Sequence, residues 1–119
     1  MPYAAGVALG GCPLVTGLSL WTDMNALYVR AKPKDHGTSK QIEGDFQPGA
    51  SAVLVEDVVT TGGSSLEAID ILVKAGLKVV AVVAVLDREQ GGAERIRARR
   101  PFHALFTLKE LLTKEEAKP

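Results

Sequence analysis

Residues 53–65 read VLVEDVVTTGGSS, an apolar run that leads into two carboxylates and then into a loop of hydroxyl residues and glycines. The run is rich in Val and Leu without polar alternation, which is typical of a strand covered on both faces of a parallel sheet. Apolar residues then repeat at helical spacing, at Leu66, Ile69, Leu72 and Val73. Ser64 and Glu67 fit a capping box for this helix, and Gly76 supplies a stop. With the apolar run at 79–86, the segment predicts a right-handed βαβ unit.

The rest of the chain continues this alternation of strands and helices. We expect further strands near 3–8, 26–30 and 103–106, and further helices near 13–21, 93–99 and 108–114. The polar stretch 32–47 has no apolar periodicity, so we expect a long loop or a loose hairpin there. The sequence therefore predicts one α/β domain over residues 1–119, with a mainly parallel, twisted sheet flanked by helices.

The composition excludes several classes of protein. The chain has 14 Lys and Arg against 14 Asp and Glu, and this balance argues against a protein that mainly binds a nucleic-acid backbone. It also favours a solvated helix face over a nucleic-acid patch for the basic cluster, which consists of Arg95, Arg97, Arg99 and Arg100. No apolar run is long enough to cross a bilayer, and the lone Cys12 cannot form an internal disulfide. We expect a cytoplasmic protein without nucleic-acid or membrane partners, in which Cys12 and Trp21 belong to the core.

The turn at 60–65 has the chemistry of an anion site. Its two glycines let backbone N–H groups approach an anion, its four hydroxyl residues add donors, and the helix start adds partial positive charge. Glu56 and Asp57 would repel a bare phosphate, so we expect them to meet ribose hydroxyls or a hydrated Mg²⁺. The alternative is a structural turn with an incidental acidic pair. The spacing matches neither the P-loop nor the dinucleotide-binding glycine motif.

The order of strand, acidic pair, two apolar residues and Thr/Gly-rich loop closely resembles the phosphoribosyl-diphosphate (PRPP) binding motif of the type I phosphoribosyltransferases. Residues 30–38, RAKPKDHGT, with IEG at 42–44, look like the catalytic loop of the orotate phosphoribosyltransferase family, which implies a mobile loop at about 31–47. Residues 6–14, GVALGGCPL, are similar to the diphosphate-binding turn of that family. Residues 87–92 resemble the end of a later strand in that family, and residues 105–108 resemble its C-terminus.

The resemblance implies a Mg²⁺-dependent enzyme of pyrimidine nucleotide biosynthesis that transfers ribose 5-phosphate from PRPP to orotate, giving orotidine 5′-monophosphate and diphosphate. The catalytic residues would be Arg30, Lys34, His36 and Asp57. PRPP would contact these four residues and also Gly10, Gly11, Glu56, Val58, Val59, Thr60, Thr61, Gly62, Gly63 and Ser64. Orotate would contact Thr60 and Arg88. PRPP itself would hold most of the Mg²⁺ coordination, with contacts through water to Glu56 and Asp57.

Several alternatives stay open at this point. The loop charges also suit a solvated basic hairpin, and Arg88 also suits a surface ion pair with Asp87 or Glu89. The base could instead be a purine or uracil, or the chain could be a truncated PRPP-binding regulatory or inactive domain. Three features depart from the family pattern: Ala31 replaces a second basic residue, Gly10 replaces a frequent lysine, and nearly all of the N-terminal segment with its hood over the base is missing. The resemblance further implies a homodimer in which the loop serves the neighbouring site.

Overall fold

The computed structural model of the chain describes residues 1–31 and 40–117, with side chains as far as residue 113. The strands are β1 (Tyr3–Val7), β2 (Ala26–Val29), β3 (Ile42–Glu43), β4 (Ser51–Val59), β5 (Lys78–Asp87) and β6 (Phe102–Thr107). The helices are α1 (Gly11–Trp21), α2 (Gly63–Lys74), α3 (Gly92–Arg97) and α4 (Leu108–Ala117). No helix within these ranges combines the length and the apolar character that crossing a membrane requires.

The strands form one sheet in the order β3-β2-β1-β4-β5-β6. All neighbouring pairs among the described strands are parallel except β2 and β3. The strands β1 and β4 are adjacent at the centre, but the chain continues from β1 toward one edge and from β4 toward the other. Such a divergence opens a crevice at the carboxyl ends of the two strands, where ligands bind in open parallel sheets. The predicted α/β fold is confirmed, and its crevice lies between β1 and β4.

Apolar clusters lie on both faces of the sheet. The larger cluster packs α2 and α3 on one face, where Leu54 of β4 and Ile69 of α2 are fully buried. The smaller cluster packs α1 on the other face, where Val15 is fully buried beside Ala4. Ala5, the next residue of β1, belongs to the larger cluster, because successive side chains of a strand point to opposite faces. In the middle of β4, Leu54 therefore faces the larger cluster and Val55 faces the smaller one.

Most predicted elements are confirmed to within a few residues. Gly76 ends α2 as predicted: its φ is 98°, and the N–H groups of Gly76 and Leu77 donate to carbonyls of the last helical turn. The predicted hairpin is present in the described part of 32–47, since β3 pairs with β2 in antiparallel orientation. Residues 32–39 lie outside the described part of the chain.

Trp21 was expected in the core, and this prediction is wrong because its side chain is 91% exposed. Apolar residues surround much of α1, so their spacing did not reveal that only Gly11 and Val15 would be buried. Trp21 borders an apolar groove of about 420 Å³ between α1 and the uncovered face of β5 and β6. Cys12 is half-buried rather than fully in the core.

We expect two alanine substitutions in α1 to change stability in opposite directions. A Cβ on Gly11 would lie 2.5 Å from the backbone oxygen of Val55, whereas one on Gly17 would meet no atom within 4 Å. Gly11→Ala should lower the free energy of unfolding by about 1–3 kcal/mol, because the backbone of β4 cannot easily move away. Gly17→Ala should raise it by about 0.4–1 kcal/mol, because alanine restricts the unfolded chain and favours the helix. Urea unfolding measures both effects, and equal effects would contradict the close packing of α1 on β4.

Candidate functional site

Most of the predicted site residues lie at the carboxyl ends of the parallel strands and so at one end of the sheet. The turn 8–11 follows β1, and Arg30 follows β2. Glu56 and Asp57 lie near the end of β4, and Arg88 follows β5. Segments that are far apart in the sequence therefore meet around the crevice between β1 and β4.

The two acidic residues of β4 face different environments. Glu56 is only 5% exposed, and its carboxylate accepts hydrogen bonds from the first turn of α2. Asp57 is exposed, and its carboxylate lies against Gly10 in the turn after β1. This separation follows from the alternation of side chains along a strand. The sequence led us to expect both carboxylates at the same surface. The structure instead exposes Asp57 and buries Glu56.

Two serine hydroxyls enclose the carboxylate of Glu56. Ser65 Oγ donates to Glu56 Oε2 at 2.5 Å, and Ser64 Oγ donates to the same oxygen at 3.2 Å. Burial raises the pKa of the Glu56 carboxyl, the serine hydrogen bonds lower it, and the charge of Asp57 raises it, so that its pKa lies above the ordinary glutamate value. The predicted capping box is wrong, because the Ser64 hydroxyl bonds to this carboxylate and Gly62 occupies the N-cap position.

Within the described residues, no side chain caps the N-terminus of α2. The helix has 12 residues and no acidic residue in its first turn. Leu66 is the first residue whose N–H bonds to a carbonyl of this helix end, that of Gly62 at 3.0 Å. The N–H groups of residues 63–65 precede it and carry the partial positive charge of the helix end. A Cβ on Gly63 would meet no atom within 4 Å, so the space beside Gly63 is not filled by protein.

The turn after β1 approaches Asp57 so closely that only glycine fits at its third position. A Cβ on Gly10 would overlap the Asp57 carboxylate, which also accepts the N–H of Val58 at 2.8 Å. Gly10 itself has φ −63° and ψ −30°, in the ordinary helical region. The peptide bond between Ala8 and Leu9 is cis. Gly10 is therefore required by the space that Asp57 occupies and not by its own dihedral angles.

Arg30 brings a positive charge to the same edge. Its N–H donates to the Gln41 carbonyl at 2.7 Å, which ties the end of β2 to the returning arm of the hairpin. The guanidinium is close enough to Cys12, at the start of α1, to lower the pKa of the thiol, although burial raises that pKa by more. Lys34 and His36, the other predicted cations of the loop, lie outside the described residues.

Arg88 is exposed beside the turn that follows β4. The neighbouring carboxylates have other partners: Asp87 Oδ1 accepts the N–H of Glu89 at 2.8 Å, and Glu89 Oε1 accepts the N–H of Lys109 at 2.9 Å. Across residues 1–31 and 40–117, no ion pair joins Arg88 to either of them. The alternative interpretation of Arg88 as part of a surface ion pair is therefore not supported, and its guanidinium can meet an anionic ligand.

Two residues around the turn have contacts that the sequence did not indicate. Ser65 was expected to face an anion, but it is fully buried against Glu56. Arg95 is exposed, as expected for a solvated helix face, but its Nη1 also donates to the Thr61 carbonyl at 2.7 Å. The alternation of β4 could have indicated the first contact. The second joins residues that are 34 positions apart, and no local pattern carries that information.

Comparison with known proteins gives consistent results. Residues 5–102 match the family described as "Phosphoribosyl transferase domain". The orotate phosphoribosyltransferase of Thermococcus kodakarensis is 43% identical over 112 residues, which are 94% of this chain and 60% of that protein. The enzyme of the same name from Pyrococcus abyssi is 51% identical over 92 residues, which are 77% of this chain and 50% of that protein. The chain thus spans between half and about 60% of the length of these relatives.

Solved structures share the fold. The crystal structure of orotate phosphoribosyltransferase from Aeropyrum pernix has a TM-score of 0.86 and 36% identity, covering 98% of this chain and 66% of that one. The Mycobacterium tuberculosis orotate phosphoribosyltransferase in complex with PRPP has a TM-score of 0.78 and 30% identity, covering 93% of this chain and 66% of that one. Sequence match and fold agree with the arrangement of the crevice, and the chain belongs to the phosphoribosyl transferase domain family.

Proposed function

We propose that the chain transfers ribose 5-phosphate from PRPP to orotate, giving orotidine 5′-monophosphate and diphosphate in a Mg²⁺-dependent reaction of pyrimidine nucleotide biosynthesis. The observation that carries the proposal is the combination, at one sheet edge, of the uncapped N-terminus of α2 with the exposed carboxylate of Asp57. A sugar phosphate needs an anion site for its phosphate and an acceptor for its hydroxyls. The name shared by the relatives at 43% and 51% identity supports orotate as the base.

The turn after β4 is the proposed site of the 5-phosphate. Thr61 is exposed there and Thr60 is half-buried, so that their hydroxyl groups accompany the N–H groups at the start of α2. Ser64 would contribute its backbone N–H, because its hydroxyl donates to Glu56. The remaining proposed contacts of this run are Val58, Val59, Gly62 and Gly63. Hydrogen bonds from backbone N–H groups to a phosphate are stronger than those between neutral groups, because the acceptor is ionised. This chemistry suits a phosphate and does not require a lysine in the turn.

Asp57 and Glu56 receive different roles in this proposal. Asp57 is exposed beside Gly10, so it can accept ribose hydroxyl groups and offset positive charge that develops on the sugar. Glu56 is enclosed by Ser64 and Ser65, and in this arrangement it orders the start of α2. We propose that its contribution to PRPP binding comes mainly through this ordering.

The leaving diphosphate needs cations as its bond to the anomeric carbon breaks. Arg30 follows β2, at the same end of the sheet as Gly10 and Asp57. We propose that Lys34 and His36 join it from the loop. Gly10 and Gly11 would lie beside the diphosphate. On the opposite side of the sugar, Arg88 and Thr60 would meet orotate, whose carboxylate suits the exposed guanidinium of Arg88.

The residues at the crevice fit a Mg²⁺ ion that would enter the site bound to PRPP. Within the described ranges, no group of three or more His, Cys, Asp or Glu side chains could hold a metal ion. Asp57 offers one exposed carboxylate, and Mg²⁺ commonly keeps several waters while one or two carboxylates and substrate phosphates hold it. Bound in this way, the ion neutralises charge on the diphosphate. Glu56 would contact it only through water.

We further propose a cytoplasmic homodimer in which the loop at about 31–47 serves the neighbouring site. The support is the loop's position: the described arm β3 lies at the sheet edge, and it pairs only with β2 among the described strands. Sedimentation and activity of mixed variants, one lacking a loop cation and one lacking Asp57, test this arrangement. Recovery of activity on mixing supports shared sites.

The proposed reaction is tested by following orotate consumption with PRPP and Mg²⁺, beside calorimetric titration with PRPP. We expect turnover with orotate and none with adenine or uracil. Turnover with another base would change the substrate assignment. PRPP binding without turnover would indicate a binding domain, and absence of PRPP binding would contradict the proposal.

Lys34→Ala should lower kcat by about 100-fold while it changes the Kd for PRPP much less, because the cation acts mainly as the bond breaks. Lys40→Ala removes the same charge from an exposed position nearby and should leave both constants unchanged. Steady-state kinetics and calorimetry give the two constants. Equal losses of kcat and PRPP affinity in the Lys34 variant would contradict the transition-state role.

Arg88→Ala should raise the KM for orotate by about tenfold, in keeping with the loss of one charge-assisted contact to its carboxylate. The Kd for PRPP should not change, because that contact is specific to the base. Orotate and uracil differ in this carboxylate, so competition by uracil provides the control. Uracil should inhibit wild type and variant equally, and a parallel change for both bases would exclude a carboxylate contact.

Glu56→Gln should remove a pH-dependent part of the stability. Because the folded pKa of Glu56 lies above its unfolded value, the unfolded chain releases this proton at lower pH than the folded chain does. The contribution of Glu56 is therefore fully present below the unfolded pKa and is lost as pH rises through the folded pKa. The free energy of unfolding of Glu56→Gln relative to wild type should consequently increase with pH across that window and then level off.

Urea unfolding at a series of pH values measures this difference. Glu67→Gln, on the exposed side of α2, is the matched control for loss of a carboxylate and should show no comparable trend. A difference that stays constant with pH, or that decreases as pH rises, would contradict the upward shift in the pKa of Glu56.

A further inference from the structure

The turn between β4 and α2 is held from its inner side by the segment that begins α3. The N–H of Gly92 donates to the Thr60 carbonyl at 3.1 Å. Nη1 of Arg95 donates to the next carbonyl, that of Thr61, at 2.7 Å. Two consecutive carbonyls of the proposed phosphate turn therefore point toward α3.

These two bonds also fix the direction of the N–H groups. In a trans peptide, the C=O of one residue and the N–H of the next point in opposite directions. The bonds to Thr60 and Thr61 therefore orient the N–H groups of Thr61 and Gly62 away from α3. Both peptides are trans, since the one cis bond among the described residues is that between Ala8 and Leu9. The contact with α3 thus determines which backbone donors face a ligand in front of the turn.

The backbone of the turn touches α3 at Gly62, whereas the carbonyl of Thr61 depends on a side chain for its hydrogen bond. A Cβ on Gly62 would lie 3.1 Å from the Cα of Gly92, so the backbones of the two segments touch. The Thr61 carbonyl has no backbone donor among the described residues and is held by the Arg95 guanidinium. Without Arg95, the peptide between Thr61 and Gly62 could rotate and direct its carbonyl oxygen, instead of its N–H, toward an anion.

The other arginines of the basic cluster have separate partners. Arg99 forms an ion pair with Asp70 at 2.6 Å, and Arg97 lies 5.3 Å from the centre of the Phe102 ring. Arg100 donates to the backbone of β5. Arg95 is therefore distinguished within the cluster by its contact with the turn, and Arg99 has the same charge at the surface without that contact.

We propose that Arg95 is a positioning residue for the phosphate turn: it holds the Thr61 carbonyl toward α3 and so aims the Gly62 N–H at the 5-phosphate of a sugar phosphate. The inference rests on the proposed function, which it extends by one residue outside the recognised motif. Arg95 acts through the backbone of the turn. Its effect belongs to ligand binding, because the 5-phosphate is bound equally before and during bond breaking.

The test compares Arg95→Ala with Arg99→Ala, which removes the same charge from the neighbouring turn. Calorimetry would give Kd values for ribose 5-phosphate, PRPP and diphosphate, and steady-state kinetics would give kcat and KM. In Arg95→Ala we expect about tenfold weaker binding of ribose 5-phosphate and PRPP, in line with loss of one charge-assisted hydrogen bond. Its kcat should stay within about twofold, because uniform binding affects KM. Diphosphate binding should be unchanged in both variants, and Arg99→Ala should match wild type throughout.

Arg95→Lys provides the second variant, since an ammonium group can also donate to the Thr61 carbonyl. It should recover at least part of the lost ribose 5-phosphate affinity, and thermal unfolding would establish that all three variants are folded. Equal ribose 5-phosphate affinity in wild type and Arg95→Ala would overturn the positioning role while leaving the proposed function intact. An equal loss of diphosphate affinity would also overturn it, because the effect would then not be local. Failure of wild type to bind ribose 5-phosphate and PRPP would overturn the proposed function and this inference together.

Discussion

The hydrogen bond from Ser65 to the buried carboxylate of Glu56 joins the end of β4 to the start of α2. Both side chains are removed from solvent, and an ionised carboxylate is costly to bury without donors. Ser64 supplies a second donor to the same oxygen. Because these hydroxyls are directed toward Glu56, they do not cap the helix, and no side chain among the described residues bonds to the N–H groups of its first turn. The hydrogen bonds that join β4 to α2 are therefore also the reason that this helix end has no side-chain cap.

The order of the sheet places this junction where a second group can face the ligand. The strands β1 and β4 are neighbours, yet their onward connections diverge, so the turn after β1 and the end of β4 border one crevice. Gly10 lets that turn reach Asp57, since a larger residue would overlap the carboxylate. Behind the junction, α3 packs against Gly62 and binds two carbonyls of the turn. The site is thus assembled from backbone groups that packing holds in position, with few polar side chains.

Much of the fold follows from local patterns. Uninterrupted apolar runs identified β4 and β5, and the spacing of apolar residues identified α2, because burial on both faces or on one stripe leaves a periodic trace. The motif at 53–65 also located the candidate site. Local patterns did not reveal which of two acceptors a side chain would choose. Ser64 and Glu67 satisfied the capping-box pattern, but the Ser64 hydroxyl donates to the Glu56 carboxylate instead. Trp21 was misplaced because α1 has apolar residues on several sides, and the Arg95 contact is set by the packing of α3, which is distant in sequence.

The central claim is that the turn between β4 and α2 holds a sugar phosphate, with Asp57 on the sugar. A crystal structure of the protein soaked with PRPP and Mg²⁺ tests it most directly. The account predicts the 5-phosphate within hydrogen-bonding distance of the N–H groups of residues 61–64, and the ribose hydroxyls on the Asp57 carboxylate. A ligand bound elsewhere, with this turn left empty or closed by protein side chains, would contradict it.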